Sequence, residues 1–558
     1  LRSLLDGTGR VLFGAQSAEW ITPLLQPYYR PVLALAAFTL LSSISGLLAP
    51  YLTKLVIDQA LLKQDFSALV QYSIALFIIG LIALMSGIFN NYQHLRFSLR
   101  MLNGVRAALF QSVLQLSPRQ HAKLRTGEVM SRLDGDAAEL QKFAFDTLLA
   151  GGSAIVRLVG SIAFMLWLNW QLTLLVIALA PAELFFLVKV RAGTQARATE
   201  VREQRGRLAA FLNESVAAVP WLQALSAQKV RTQQMLGVQE QVAKALLAQQ
   251  LWNETVNLFP ALASAFGRLA ILLVGGYWVI QGTMPLGSLI AFLSYLGFLL
   301  GPMRTLLGIY HAQARVKAAV ARLDGLMLTK SDIPDRADGL SLQHTVGDLV
   351  AEQVSVHIQQ KPVLSQYSVR LAAASKVLVR GASGTGKSTL CALWAGFLKP
   401  ESGHIYYQGS DIHQVRLVDL RRAIVWLPQN AFLFHGSVRE NFSLVNPSVS
   451  DEAIWQVLSY VRLADWVLEL GGLDASLGER GLNISGGQRQ RLAIARALLL
   501  PFQVIILDES LSEVDSITAQ QVVANIDQHF PHTTRIFVAH GDEAIFSPYD
   551  QRIELGGV

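Results

Sequence analysis

The sequence predicts a multi-domain chain: an all-α domain of six membrane-spanning helices that run on past the bilayer, followed by an α/β domain built around a phosphate loop. Three observations predict it. The first half carries long apolar stretches, each near the ~20 residues that cross a bilayer. Further on, Gly381, Ala382, Ser383, Gly384, Thr385, Gly386, Lys387 and Ser388 place two glycines around four residues ahead of Lys and Ser, a spacing that lets successive backbone N–H groups point inward at a phosphate. From about Leu340 onward, apolar strands alternate with helical patterns, as a parallel sheet requires.

Composition agrees. At 558 residues the chain exceeds one compact domain, and an apolar share of 52% with 16% charged residues is high for a soluble protein. The formal charge of +7 does not call for nucleic acid, because Lys and Arg crowd between the apolar spans and form no basic stripe interleaved with aromatics. Cys391 is the only cysteine, which excludes a disulfide framework, a cysteine-ligated zinc site and a Cys-Xaa-Xaa-Cys pair. Its place just after the phosphate loop suggests core packing. The chain begins at Leu1, without Met and without a basic-then-apolar signal layout; upstream residues are expected to have been removed, and an amino-terminal domain could be among them.

Residues 1–30 end in an amphipathic stretch of Trp20, Ile21, Leu24, Leu25, Tyr28 and Tyr29 with Arg30, suited to a headgroup layer, with a plain surface helix as the alternative. Six apolar stretches follow within 31–327, at Pro31–Ile57, Leu69–Tyr92, Leu148–Leu168, Gln171–Val190, Leu258–Ile280 and Leu286–Leu307. An even number puts both termini on one side. The connection from His94 to Lys142 carries Arg96, Arg100, Arg106, Arg119, Lys123, Arg125 and Arg132, and that from Arg191 to Lys244 carries Arg197, Arg202, Arg205, Arg207, Lys229 and Arg231. Both are therefore expected in the cytoplasm, with the termini. Apolar residues recur at helical spacing through Leu95, Leu99, Leu102, Val105, Leu109, Val113 and Leu116, so the spanning helices extend beyond lipid. Each basic segment breaks near its middle, at Ser117 to Gly127 and at Asn213 to Trp221, where a helical hairpin turns back. An Ala-rich helical pattern through Val316, Val320 and Leu323 leads to a polar linker at 328–339 with Pro334, and 340–558 forms the nucleotide domain.

In that domain Lys387 is placed to reach the β- and γ-phosphates and the Ser388 hydroxyl to ligate Mg²⁺, with the glycines letting the backbone approach. The apolar run Val504 to Leu507 ends in Asp508 and Glu509. Asp508 can hold Mg²⁺, and Glu509, one residue further, can orient or deprotonate a water. An acidic strand cap is the bland alternative, but it leaves the shared sheet unexplained.

Ile484, Ser485, Gly486, Gly487, Gln488, Arg489, Gln490 and Arg491, shortly before Asp508, resemble the signature motif of the ATP-binding cassette (ABC) family, and the six-span half resembles that family's exporter-type half-transporters. The resemblance covers nearly the whole chain and implies further roles. Gln429, after Trp426, Leu427 and Pro428, resembles the glutamine loop that senses Mg²⁺ and faces the membrane domain; Ser512 to Asp515 resembles the loop through which paired cassettes communicate. His540 resembles the switch histidine on the γ-phosphate, although a lone His at a strand end is usually structural. Gly478 to Gly481 resembles the exporter stretch that touches the membrane domain's turns. The nucleotide contacts implied are Gly381, Ser383, Gly384, Thr385, Gly386, Lys387, Ser388 and Thr389, with Gln429, Ser485, Gly486, Gly487, Gln488 and Asp515; Ser388, Gln429 and Asp508 are the Mg²⁺ set. Catalysis falls to Glu509, His540 and Lys387. Ser485, Gly486 and Gly487 open a helix whose backbone donors suit a phosphate, and in the family that phosphate belongs to the opposite cassette. A dimer follows, either of two identical copies, since Lys387, Glu509, Ser485 and His540 are all intact, or with a degenerate second half. One departure stands out: where the family places an aromatic residue to stack on adenine, this sequence has Ile358, with His357 beside it.

Three ionisable residues fall inside spans: Arg157, Glu183 and Arg268. At ~1.5 Å per residue all three lie roughly 17–18 Å from the outer ends of their helices, in one layer. Either they line a cavity whose net positive charge favours an anionic amphiphile, or Arg–Glu pairs lock the helices together. The expected function is an ATP-driven exporter of a peptide, lipid or hydrophobic small molecule, working by alternating access in a bacterial inner membrane; an importer on the same fold, or an ATP-gated channel or regulatory protein, is the alternative.

Overall fold

The computed structural model describes residues 14–556 except 337, 344, 359–360, 479–483 and 541, and within helices leaves undescribed the side chains of 179–180, 183–184, 187, 300, 304, 307 and 310–311. The chain divides into two compact units, one of Leu1–Phe110 and Met130–Met327, the other of Gln111–Val129 and Leu328–Val558. The first turn-back segment thus belongs with the second unit, although it is continuous with the helices of the first.

Among the described residues the regular elements of the first unit are all helices, as suits a chain in lipid, where no water is available for its backbone groups. Its helices are α1 (Ala15–Leu25), α2 (Tyr29–Leu55) and α3 (Phe66–Gln115). In the second unit α4 (Pro118–His121) makes the turn, opened by a reciprocal capping box of Ser117 and Gln120. Next come α5 (Thr126–Leu168), α6 (Trp170–Ile177), α7 (Leu179–Ala217), α8 (Val219–Ala224), α9 (Gln228–Ile280) and α10 (Leu286–Met327). Helices of 50, 43 and 53 residues are more than twice a bilayer crossing, so the expected extension beyond lipid is present. Among the described residues five helices are long and apolar enough to cross a membrane: those spanning Ala15–Leu61, Phe66–Gln115, Thr126–Leu168, Gln228–Ile280 and Leu286–Met303. The stretch expected as a fourth span, Gln171–Val190, falls on α6 and the start of α7, and lies partly outside the described residues.

Three details depart from expectation. The second turn-back lies at Ala218–Ala227 around α8, later than Asn213, because α7 runs unbroken to Ala217. Trp20 and Ile21 do not serve a headgroup layer, being buried; Trp20 Nε1 and Ser17 Oγ each donate to the Asp324 carboxylate at 2.7 Å, tying α1 to α10. Finally, α5 contains π-turns at Arg132–Asp136 and Lys142–Thr147, and ion pairs cluster at the first. There Arg322 reaches the buried Asp136 at 2.5 Å, Arg106 reaches Asp134 at 2.8 Å, and Arg315 meets Glu139 at 2.6 Å.

At the other end of the bundle, near the short connections, α2 and α10 approach closely. The Gly287 N–H donates to Asp58 Oδ1 at 2.7 Å, and Tyr295 donates its hydroxyl proton to the Leu47 carbonyl at 2.7 Å in a buried setting. Leu47, Met165, Leu172, Ile271, Leu289, Phe292 and Tyr295 form the apolar core there.

Among the described residues the second unit holds two sheets. A five-stranded parallel sheet runs in the order β6 (Ile424–Leu427), β7 (Val504–Asp508), β8 (Thr534–Val538), β3 (Lys376–Gly381) and β9 (Gln551–Leu555). Every residue of β7 and β8 is buried, which explains why both read as continuous apolar runs rather than alternating ones. A four-stranded antiparallel sheet, in the order β2 (Lys361–Leu371), β1 (Leu349–Ile358), β4 (Ser402–Tyr407) and β5 (Ser410–Asp411), was not foreseen from the sequence. Helices α11 (Lys387–Trp394), α12 (Leu417–Ala423), α13 (Val438–Ser443), α14 (Asp451–Tyr460), α15 (Ala464–Glu469), α16 (Gly486–Leu498) and α17 (Ser516–His529) complete the unit. Cys391 is fully buried on α11, and burial pushes its thiol well above the ordinary range, in keeping with a packing role.

Candidate functional site: a phosphate loop and a carboxylate at the ends of parallel strands

Strand β3 ends at Gly381, and the chain turns through the loop into α11, whose N-cap Gly386 is left-handed at φ 94°. Two of the loop's glycines are forced. A Cβ on Gly381 would stand 2.6 Å from the Leu555 carbonyl oxygen, and one on Gly386 would stand 2.7 Å from Val363 Cγ1. The loop is therefore clamped between β9 and β2 in a conformation only glycine adopts cheaply. Lys387 is 5% exposed; its Nζ donates to the Gly381 and Ala382 carbonyls at 2.9 Å each. Thr385 Oγ1 also donates to the Ala382 carbonyl. Ser383, Gly384 and Ser388 are exposed, and Thr389 is half-buried.

Across the sheet, β7 delivers Asp508 at its end, 1% exposed, with Oδ1 lacking any hydrogen-bond partner. Burial, reinforced by the Glu509 charge, holds the Asp508 carboxyl above the usual range against the opposing Ser388 hydroxyl. An orphaned buried carboxylate oxygen beside a hydroxyl suits a hard divalent cation. Among the described residues no group of three or more His, Cys, Asp or Glu forms a metal cage. A cation here would therefore draw its other ligands from phosphate and water, as Mg²⁺ commonly does.

Glu509 follows with a left-handed backbone, φ 51°, a strained geometry for a non-glycine residue. Its N–H donates to the Val538 carbonyl at 3.0 Å, which fixes the turn against β8. Its carboxylate is bracketed: Gln429 Nε2 donates to Oε2 at 2.7 Å, and His540 Nε2 lies 3.0 Å from Oε1. The same His540 nitrogen stands 2.6 Å from Lys387 Nζ, so it faces a donor and an acceptor at once. With its proton on Nδ1 it accepts from Lys387; with one on Nε2 it donates to Glu509. Lys387, Glu509, Gln429 and His540, from four separate segments, thus form one connected cluster at the ends of parallel strands.

The signature residues are organised separately. Ser485 caps α16 through a reciprocal box with Gln488, its Oγ accepting from Gln488 N and its N–H donating to Gln488 Oε1. This leaves the hydroxyl proton and the first α16 amides available to an anion. Gly486 and Gly487 are packed on the following loop, and a Cβ on Gly487 would stand 2.6 Å from the Glu513 carbonyl. Buried Gln490, a member of the signature run to which the sequence assigned no role of its own, clamps that loop by donating to Ser512 Oγ and accepting from Glu513 N, both at 3.0 Å. Asp515 caps α17 through Thr518 N, a bond that holds its carboxyl below the ordinary range.

The remaining expected residues are scattered. Ile358 ends β1 and is 46% exposed. His357 beside it is paired with Glu401 at 2.7 Å. Arg157, exposed on α5, donates from Nε to Ser43 Oγ on α2 at 3.4 Å. Arg268 is exposed on α9, while the Glu183 side chain and residues 479–481 of the exporter-type stretch lie outside the described residues.

These features define a multi-pass membrane protein with a phosphate-loop ATP-binding domain. Residues 32–303 match the family model described as the ABC transporter transmembrane region, and residues 364–512 match the one described as ABC transporter. The chain belongs to the ABC transporter family. It is similar to a multidrug resistance ABC transporter ATP-binding and permease protein of Lactococcus lactis subsp. cremoris (strain MG1363), 28% identical over 452 residues, 79% of this chain and 75% of that one. It is also similar to an ATP-dependent lipid A-core flippase of Syntrophus aciditrophicus (strain SB), 27% identical over 494 residues, 88% of this chain and 82% of that one. Among solved structures it resembles a bacterial Atm1-family ABC exporter with ATP bound, at TM-score 0.80 and 22% identity, covering 95% of this chain and 94% of that one. The fold is of the exporter type.

Proposed function

We propose that this chain is an ATP-driven exporter that works as a dimer, moving an amphipathic substrate out of the cytoplasm or its facing leaflet by alternating access. The observation that carries the reading is the Lys387, His540, Glu509 and Gln429 cluster beside buried Asp508, in a chain whose other unit consists of membrane-length helices. In this reading the loop amides and Lys387 bind the β- and γ-phosphates, and Glu509 takes the proton of the attacking water. His540 and Gln429 position that carboxylate from either side. Mg²⁺, held by Ser388, Gln429 and Asp508, would neutralise phosphate charge. Ser485, Gly486 and Gly487 serve the nucleotide of the second copy, so two identical chains make two sites, and closure of that pair drives the helices to reopen outward.

The substrate class rests on Arg157 and Arg268, whose charge in a span favours an anionic or carboxylate-bearing amphiphile. The names of the similar proteins, a multidrug transporter and a lipid A-core flippase, point the same way on amphipathicity. Both termini are assigned to the cytoplasm of a bacterial inner membrane from the basic connections. The test is ATP-dependent solute movement in proteoliposomes, with Glu509→Gln as the control. Accumulation against a gradient on repeated turnover supports export; flow only down a gradient would assign a channel, and uptake in the reverse sense an importer.

A further inference from the structure

Helices α7 and α9 pack side by side in opposite directions. Phe186 stacks on Phe259 with ring centroids 4.3 Å apart, and seven residues along each helix Trp252 covers Gly193, where a Cβ would stand 2.6 Å from Trp252 Cζ2. The missing Cβ is what lets the indole in. Two further contacts hold it: its Nε1 donates to Thr194 Oγ1 at 2.9 Å, and the Arg197 guanidinium lies 4.0 Å from the ring centroid. A guanidinium stacked on an aromatic face keeps its in-plane N–H groups for an anion. Among the described residues no hydrogen bond or ion pair takes those of Arg197. Glu254, close to Trp252, accepts instead from Gln250 Nε2 at 2.8 Å, and Glu200, three residues after Arg197, does not pair with it. Lys189, exposed on the same face of α7 about two turns earlier, adds a second cation.

The level of this cluster along the helices decides what it can meet. Trp252 precedes the apolar stretch Leu258–Ile280 by six residues, ~9 Å of helix, and Gly193 follows the end of the stretch Gln171–Val190 by three, ~4.5 Å. That is the depth of the headgroup layer, where Trp concentrates. Side chains on a helix lean toward its N-terminal end, which on α7 is the bilayer end, so Arg197 reaches back toward lipid to stack on Trp252. On the bilayer side Phe185 and Val188, 71% and 63% exposed, offer apolar surface to acyl chains. We propose that Arg197, backed by Trp252 and joined by Lys189, binds the phosphodiester of an anionic phospholipid in the leaflet that faces the cytoplasm. The proposal rests on the reading of α7 and α9 as spans whose extensions are cytoplasmic. Charge complementarity and depth commit the site to lipid: an anionic leaflet presents its phosphates at this level, whereas a soluble phosphate makes no use of the apolar surface beside it.

The experiment uses the full-length, nucleotide-free protein in nanodiscs of phosphatidylcholine with and without phosphatidylglycerol, reading retained lipid by native mass spectrometry and melting temperature in each disc. The wild type should retain phosphatidylglycerol above its share of the disc and melt higher with it. Arg197→Ala should retain about fivefold less and lose that gain in melting, while Arg197→Lys, which keeps the charge without the planar fork, should fall between. Arg202→Ala, on the same helix farther into the cytoplasm, should retain as much as the wild type; an equal loss there would assign the effect to diffuse charge and overturn the proposal. Equal retention by Arg197→Ala and the wild type would also overturn it. So would an Arg197→Ala protein that melts lower in both discs yet keeps the phosphatidylglycerol gain, because the residue would then serve packing alone. If glycerol phosphate added to phosphatidylcholine discs stabilised the wild type as much as phosphatidylglycerol does, the site would belong to soluble phosphates and the lipid proposal would fall. None of these readouts involves transport, so a failure of the export reading in proteoliposomes remains a separate result.

Discussion

At the scale of single residues the site keeps two of its members in costly states. Asp508 is buried with an unpartnered oxygen and a raised carboxyl pKa. A carboxyl whose folded pKa is raised favours the fold at pH values below its ordinary range, and that contribution is lost as pH climbs through the raised value. The ionised form needed for a cation therefore works against stability near neutrality. Asp508→Asn should raise the melting temperature of the nucleotide-free protein at pH 7 and abolish Mg²⁺-dependent turnover; an unchanged or lower melting temperature would remove burial as the dominant influence. Protons also compete with the metal, so Mg²⁺ affinity should weaken as pH falls, and do so at a higher pH than an ordinary aspartate would give. Glu509 carries the second cost, in its backbone. At φ 51° a glycine fits without strain, so Glu509→Gly should melt higher than Glu509→Ala, by about 1 kcal/mol. Equal melting of the two would mean the turn relaxes. None of this was legible in the sequence, which placed Asp508 and Glu509 at a strand end but showed neither the orphaned oxygen nor the left-handed turn, the latter fixed by the Glu509 N–H bond to Val538 of β8.

Among the elements, close approaches carry the structure, and they were legible unevenly. The phosphate loop and β7 announced themselves because their patterns are local: fixed glycine spacing, and a strand buried on both faces. The antiparallel sheet did not, since β1 contains register shifts that break the alternation by which a half-buried strand is read. The signature glycines were assigned to a helix start, but their contact with Glu513 became visible only in three dimensions. That contact orders two substitutions. Gly487→Ala would press on the Glu513 backbone, whereas Gly486→Ala meets the carboxylate end of the same residue, which is free to swing. Gly487→Ala should therefore be the more destabilising, by about 1–3 kcal/mol in denaturant melts; the reverse order would refute the packing described. The same logic holds between α2 and α10, where a Cβ on Gly287 would stand 2.6 Å from the Lys54 carbonyl and 2.7 Å from Asp58 Cγ. Gly287→Ala should lower thermal stability in nanodiscs, because it must part the two helices and stretch the hydrogen bond to Asp58.

For the whole molecule, composition and the spacing of basic residues were enough to predict a helical membrane unit ahead of a nucleotide unit. What the helices carry was harder to read: Arg157 proves to donate to Ser43, a partner on another helix that no periodicity reveals. If Arg157 and Arg268 line the substrate path, the Arg157→Ala, Arg268→Ala double variant should lose substrate-stimulated ATPase activity and keep the basal rate; full stimulation would leave them a structural role. In the proposed dimer each chain carries two halves of different sites, Lys387 for one nucleotide and Ser485 for the other. Mixing tests it directly. Lys387→Ala and Ser485→Glu chains should each be inactive alone, yet co-reconstituted they should regain ATP hydrolysis, because a mixed dimer reunites an intact Lys387 with an intact Ser485 across the interface. A mixture as inactive as its components would contradict the shared site.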